Sequence, residues 1–101
     1  MNVLENNKNV SPEEFYKNFK EKLTEMYQFP TEYLFKFIIP NDQEKQAEIF
    51  RVFDGLKYTI TERDSKNGKY TAVNVNTAVA DADQIVDIYQ EVAKIKDVIM
   101  L

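Results

Sequence analysis

Residues 30–40 read PTEYLFKFIIP, and the alternation inside that stretch decides the fold. Successive side chains of a strand point to opposite faces, so Tyr33, Phe35, Phe37 and Ile39 share one face and Leu34, Lys36 and Ile38 the other. Pro40 ends the run, because proline has no N–H to give to a ladder or a helix interior. A second stretch of the same kind is 67–77, NGKYTAVNVNT. It opens on Asn67-Gly68, a pair that tolerates the positive φ angles of a type I′ hairpin turn. Thr71, Val73, Val75 and Thr77 then face inward, leaving Tyr70, Ala72, Asn74 and Asn76 on the other side. Ahead of the turn, over 56–63, Leu56, Tyr58 and Ile60 alternate with Lys57, Thr59 and Thr61, which predicts a strand antiparallel to the one that follows.

Helices fill the spaces between these strands. Asn41 with Glu44 predicts a helix start, Ile49, Phe50 and Phe53 form its apolar stripe, and Gly55 is its stop. Asp81 with Gln84 predicts another, with Ile85, Ile88, Tyr89, Val92 and Ile95 on one face and Lys94 and Lys96 at the negative end of its dipole. Residues 98–101 make a short last strand. The order strand, helix, strand, strand, helix, strand is the split βαβ unit. With right-handed crossovers it predicts an α+β fold: a ferredoxin-like βαββαβ sandwich, a four-stranded antiparallel sheet with two helices on one face and its first and third strands central.

An extra amphipathic helix precedes this domain. Ser11, Pro12 and Glu14 form a strongly marked start, and Phe15, Phe19, Leu23 and Met26 recur at spacings of four, four and three. The chain thus divides into a flexible 1–10, a helix within 11–28 and the ferredoxin-like domain over 29–101. Burying the four stripe residues is worth on the order of 6 to 10 kcal/mol gross, at about 1.5 to 3 per side chain. That is too much apolar surface to leave in water, and the helix is expected to pack on the sheet, either its own or that of a partner subunit.

Composition narrows the chemistry. The 101 residues include 13 aromatic ones, sufficient for a real core, and only two glycines and three prolines, so loops are short. A net charge of −4 disfavours nucleic acid as a partner. There is no histidine and no cysteine, which removes the common triads, thiolate metal sites and disulfides. The two serines, Ser11 and Ser65, fall in a cap and a turn. Asp81 and Asp83 read as capping acids of a helix, and a glycine flanked by Lys66 and Lys69 does not make a calcium loop. No catalytic residue, cofactor or metal is expected. Residues 1–10 are polar and rich in asparagine, without the apolar run of a leader or membrane anchor, which gives a cytoplasmic reading.

Phe29-Pro30-Thr31, Lys36, Gly68, Tyr70, Val73, Gln84, Tyr89, Glu91, Lys94-Ile95, Val98 and Met100 together resemble the uncharacterised bacterial YbeD-like family, some members of which carry a lipoate regulatory label. The resemblance implies a ferredoxin-like domain similar to regulatory ACT domains, and no catalytic residue. Two roles follow as expectations. The first is a regulatory or adaptor domain that contacts an unknown protein or a second copy of itself. The alternative is an ACT-like sensor of a small ligand, connected with lipoate metabolism. The expected contact surface is the open sheet face, with Leu34, Lys36, Ile38, Tyr70, Asn74, Asn76 and Ile99, together with the helix stripe Phe15, Phe19, Leu23 and Met26.

Overall fold

A computed structural model describes residues 11–101, so the expectation of a flexible 1–10 lies outside the described residues. The elements run α1 (Pro12–Met26), β1 (Thr31–Pro40), α2 (Gln43–Val52), β2 (Tyr58–Asp64), β3 (Tyr70–Val79), α3 (Ala82–Ala93) and β4 (Ile99–Met100). The sheet order is β2-β3-β1-β4. β1 pairs antiparallel with both β3 and β4, and β2 pairs antiparallel with β3. This is the predicted ferredoxin-like arrangement with the first and third strands central. β1 and β3 are paired over ten residues each, from Thr31 opposite Val79 to Pro40 opposite Tyr70.

That register sets the two faces. Phe35, Phe37 and Ile39 from β1 and Thr71, Val73, Val75, Thr77 and Val79 from β3 are buried beneath the helices. Ile49 and Phe53 come down from the α2 region, and Ile85, Ile88, Tyr89 and Val92 from α3, to close the same core. The buried threonines are satisfied: Thr71 Oγ1 donates to Asp64 Oδ1 at 2.9 Å and Thr77 Oγ1 to the Lys57 carbonyl at 2.7 Å. An unpaired hydroxyl there would cost about 1 to 3 kcal/mol, so these bonds are what allow threonine in a core position.

Local signals were realised with three changes. Ser11 caps α1, its side chain accepting from the Glu14 N–H, and Asp81 caps α3 by accepting from Gln84 N–H at 2.9 Å. The cap of α2 is Asp42, which accepts from the Glu44 N–H at 2.8 Å, and not Asn41. Asn41 instead bonds the hairpin, its backbone N–H reaching the Lys69 carbonyl and its Nδ2 the Gly68 carbonyl, both at 2.9 Å. The carboxylate is the better acceptor for an orphan helix N–H, which leaves the amide free to donate elsewhere. The hairpin is not type I′. Only Gly68 has positive φ, at 71°, and the Ser65 carbonyl accepts from the Gly68 N–H at 2.9 Å across a longer loop. Ser65 Oγ and Asn67 Oδ1 supply side-chain bonds inside that loop, which makes the longer turn the better-satisfied one. Finally, β2 begins at Tyr58, and Leu56 sits half-buried in the connection after Gly55, whose φ of 83° turns the chain out of α2.

The position of α1 overturns the expectation that it covers the sheet. It packs on α3, in the helical layer: Phe19 meets the Tyr89 ring edge-on at 5.4 Å, and Lys20 Nζ lies 2.7 Å from Asp83 Oδ1. Leu23 is buried, and Tyr16, Phe19 and Tyr27 pack against the core beside it. Phe15 is half-buried and stacks on Phe19 at 6.2 Å. Met26 is 71% exposed and leaves the predicted stripe. Tyr27, the extended C-cap residue that follows the helix, is half-buried instead, its ring edge-on to Tyr33 at 5.6 Å.

Candidate functional site

With α1 on α3, nothing among the described residues covers the other face of the sheet. β1 contributes Glu32, Leu34, Lys36 and Ile38 to it, β3 contributes Tyr70, Ala72, Asn74 and Asn76, β2 adds Thr59, Thr61 and Arg63, and β4 adds Ile99. Leu34 is 47% exposed, Tyr70 49% and Ile99 41%. Ile38, Asn74 and Asn76 are half-buried by their neighbours on the pleat. The structure therefore brings the seven predicted face residues together on one surface. It separates them from the α1 stripe, which lies on the far side of the molecule.

Two properties of this face bear on chemistry. Its apolar residues are flanked by two cations, Lys36 and Arg63, with Glu32 the acid at one end, in a chain whose net charge is −4. The face is thus less acidic than the rest of the protein. At its hairpin end, Ile38, Tyr70 and Ala72 with Arg63, Asp64, Ser65 and Lys66 line a shallow depression of about 490 Å³. Tyr70 is the single aromatic ring on the face among the described residues.

Two pairs of titratable groups from different elements come together among the described residues. Tyr33 and Tyr89 meet in the core with their hydroxyls 3.3 Å apart, and burial pushes both phenols above the ordinary tyrosine value. They sit where α1, α3 and β1 meet, with the Phe19 ring against Tyr89 and the Tyr27 ring against Tyr33. Lys20 is raised by its hydrogen bond to Asp83, an exposed surface pair. Asp83 is therefore an ion-pair partner and Asp81 a cap, which places both carboxylates in structural roles. Among the described residues no three or more Asp and Glu side chains converge as metal ligands. No helix of the described residues is long and apolar enough to cross a membrane. Sequence reasoning did not single out Arg63, which its register opposite Ala72 puts on this face, or Lys66, which lines the depression from the hairpin loop.

Comparison with known proteins supports the same domain. A family model described as "Protein of unknown function (DUF493)" matches residues 24–101. The UPF0250 protein YbeD of Escherichia coli O1:K1 is 28% identical over 85 residues, covering 81% of this chain and 98% of the relative. That of Shigella boydii serotype 18 matches to the same extent. Among solved structures, the solution structure of protein HP0495 from H. pylori superposes with a TM-score of 0.61, over 75% of this chain and 86% of that one. At 19% identity it bears on the fold alone. Most of α1 lies ahead of the family match, which starts at Thr24 and takes in the whole sheet with α2 and α3. The chain belongs to the DUF493 family of proteins of unknown function.

Proposed function

We propose that this chain is a non-catalytic regulatory or adaptor domain of the cytoplasm that works by protein contact through the open face of its sheet. The observation that carries the reading is the exposure of Leu34, Tyr70 and Ile99 on one continuous surface, while the amphipathic helix that could have covered it is spent on α3. Exposed apolar residues grouped on one face mark contact surfaces more often than they mark ordinary solvent-facing sheet. The ACT-like alternative has less support. The β1–α2 connection where such a ligand would sit has no glycine for close backbone approach, Asn41 is engaged with the hairpin, and Asp42 caps α2.

The test is affinity capture from native cell extract with the parent chain and with a Leu34→Glu/Ile99→Glu variant, both of which should melt at the same temperature because neither side chain is in the core. A defined protein should be retained by the parent and bound at least tenfold more weakly by the variant. Equal retention by both would refute the surface. A rise in melting temperature with amino acids, lipoate or octanoate would favour the sensor reading instead, since a ligand selective for the folded state must raise it.

A further inference from the structure

One row of side chains crosses all four strands on the open face, because Arg63 stands opposite Ala72, Ala72 opposite Ile38, and Ile38 opposite Ile99. The row begins on a cation and continues as an aliphatic floor. Tyr70, on the same face as Ala72, and Lys66 from the hairpin loop close the Arg63 end into the depression of about 490 Å³. The acid next to Arg63 in the chain does not neutralise this end. Asp64 lies on the opposite face, paired with the buried Thr71, and its Oδ1 accepts from Thr71 Oγ1 at 2.9 Å. Glu32, the acid on the open face, is six residues along β1 from Ile38, about 20 Å away at about 3.4 Å per residue. Among the described residues, Lys20, Lys45 and Lys94 form ion pairs, whereas Arg63, Lys66 and Lys36 form none. Three cations thus stand without an ion-pair partner on or beside one face of a chain that has 17 acidic residues and 13 basic ones.

The rim of the depression is also held in place by the chain's own bonds. Asn41 ties the hairpin from outside through the Gly68 and Lys69 carbonyls. Inside the loop, Ser65 Oγ donates to Asn67 Oδ1 at 2.8 Å and accepts from the Tyr70 N–H at 3.1 Å, and Asn67 Oδ1 accepts from the Lys69 N–H at 3.1 Å. A ligand that meets Lys66 there does not have to supply the ordering of its loop, which is the cost that weakens binding to a loose surface. We infer, building on the protein-contact role proposed above, that this end of the face takes an acidic peptide segment of the partner. A hydrophobic side chain of that segment lies on Ile38, Ala72 and Tyr70, and its carboxylates meet Arg63 and Lys66. An apolar floor with a few placed polar groups is the ordinary makeup of a recognition site, and the charged side chains turned to this one are both cationic. A carboxylate is the matching charge, and the Arg63 guanidinium can meet it with two parallel N–H donors. The chain's net charge of −4 repels a long polyanion, whereas a short acidic segment meets the rim alone.

Selection from a random library of short peptides on the folded parent chain provides the test. Enriched peptides should carry Asp or Glu beside a hydrophobic residue, and their binding should weaken several-fold as salt is raised, because exposed charges are screened. Arg63→Glu/Lys66→Glu should bind these peptides about tenfold more weakly, at an unchanged melting temperature because both side chains are exposed. The same peptides with Lys in place of their acids should prefer the charge-reversed variant to the parent. Enrichment of neutral or basic peptides, no enrichment at all, or equal binding of acidic peptides by the parent and the charge-reversed variant would overturn the acidic partner. Displacement of the peptides by a small carboxylate alone, with octanoate at equal concentration as the probe, would assign the depression to a small molecule and overturn it too. Leu34→Glu/Ile99→Glu separates this failure from that of the contact surface. Peptide binding lost in Leu34→Glu/Ile99→Glu but kept in Arg63→Glu/Lys66→Glu removes the acidic partner and leaves the surface standing, whereas binding kept in both variants removes the surface as well.

Discussion

Phe35→Ala is expected to cost about 3 to 5 kcal/mol, the range for truncating a fully buried phenylalanine. Phe35 is completely buried at the middle of β1 and opposite Val75 of β3. Its ring touches those of Tyr33 at 4.8 Å, Tyr89 at 5.3 Å and Phe53 at 5.4 Å, so it joins the sheet to the residues packed over it. Removing it takes away both the transfer free energy and the edge-on contacts, which are worth about 0.5 to 1.5 kcal/mol per pair beyond burial. The surrounding rings are held by the backbone of different elements and cannot all close on the gap. In a domain of this size, a loss of that order lowers the melting temperature by on the order of 12 °C or more. Urea denaturation checks the value. A cost below about 1 kcal/mol would mean that β1 does not present this face to the core.

Leu23→Ala should cost about 3 kcal/mol, whereas Met26→Ala should cost under about 0.5, although both residues share the apolar periodicity of α1. Leu23 is buried at the contact with the core and Met26 is 71% exposed. The pair therefore measures whether α1 is a structural part of the fold. If α1 were a loose appendage, neither change would move the unfolding midpoint. If it lay on the sheet along its predicted stripe, both would. The contrast between the two is the result that places α1 on α3, and it is read from the same denaturation experiment with no change of probe.

Much of this architecture was legible because the determining residues act locally. The alternation of Tyr33 to Ile39 and of Tyr70 to Thr77, the caps at Ser11 and Asp81, and the stop at Gly55 each declare themselves within a few positions. The open face followed from the same alternation, which is why Leu34, Ile38, Tyr70 and Ile99 could be assigned to it. What local pattern does not carry is the choice among surfaces of similar apolarity. α1 has a stripe that would suit a sheet face or a neighbouring helix, and the decision rests on Tyr89, Tyr33 and Asp83, which are distant in sequence. The same applies to Asn41: its amide suits a helix cap until the Gly68 and Lys69 carbonyls arrive from across the hairpin. Met26 illustrates a smaller limit: its spacing of three from Leu23 fits the stripe, but α1 ends at Met26 and the extended Tyr27 that follows is the half-buried residue.

With α1 lying against α3, the open sheet face stays uncovered among the described residues, and the proposed contact surface requires this. Nuclear Overhauser contacts from the Phe19 ring and the Leu23 methyls test this directly in the folded chain. Contacts to Tyr89, with none to the methyls of Leu34, Ile38 or Ile99, are the expected result. Contacts to those open-face methyls in place of Tyr89 would contradict it.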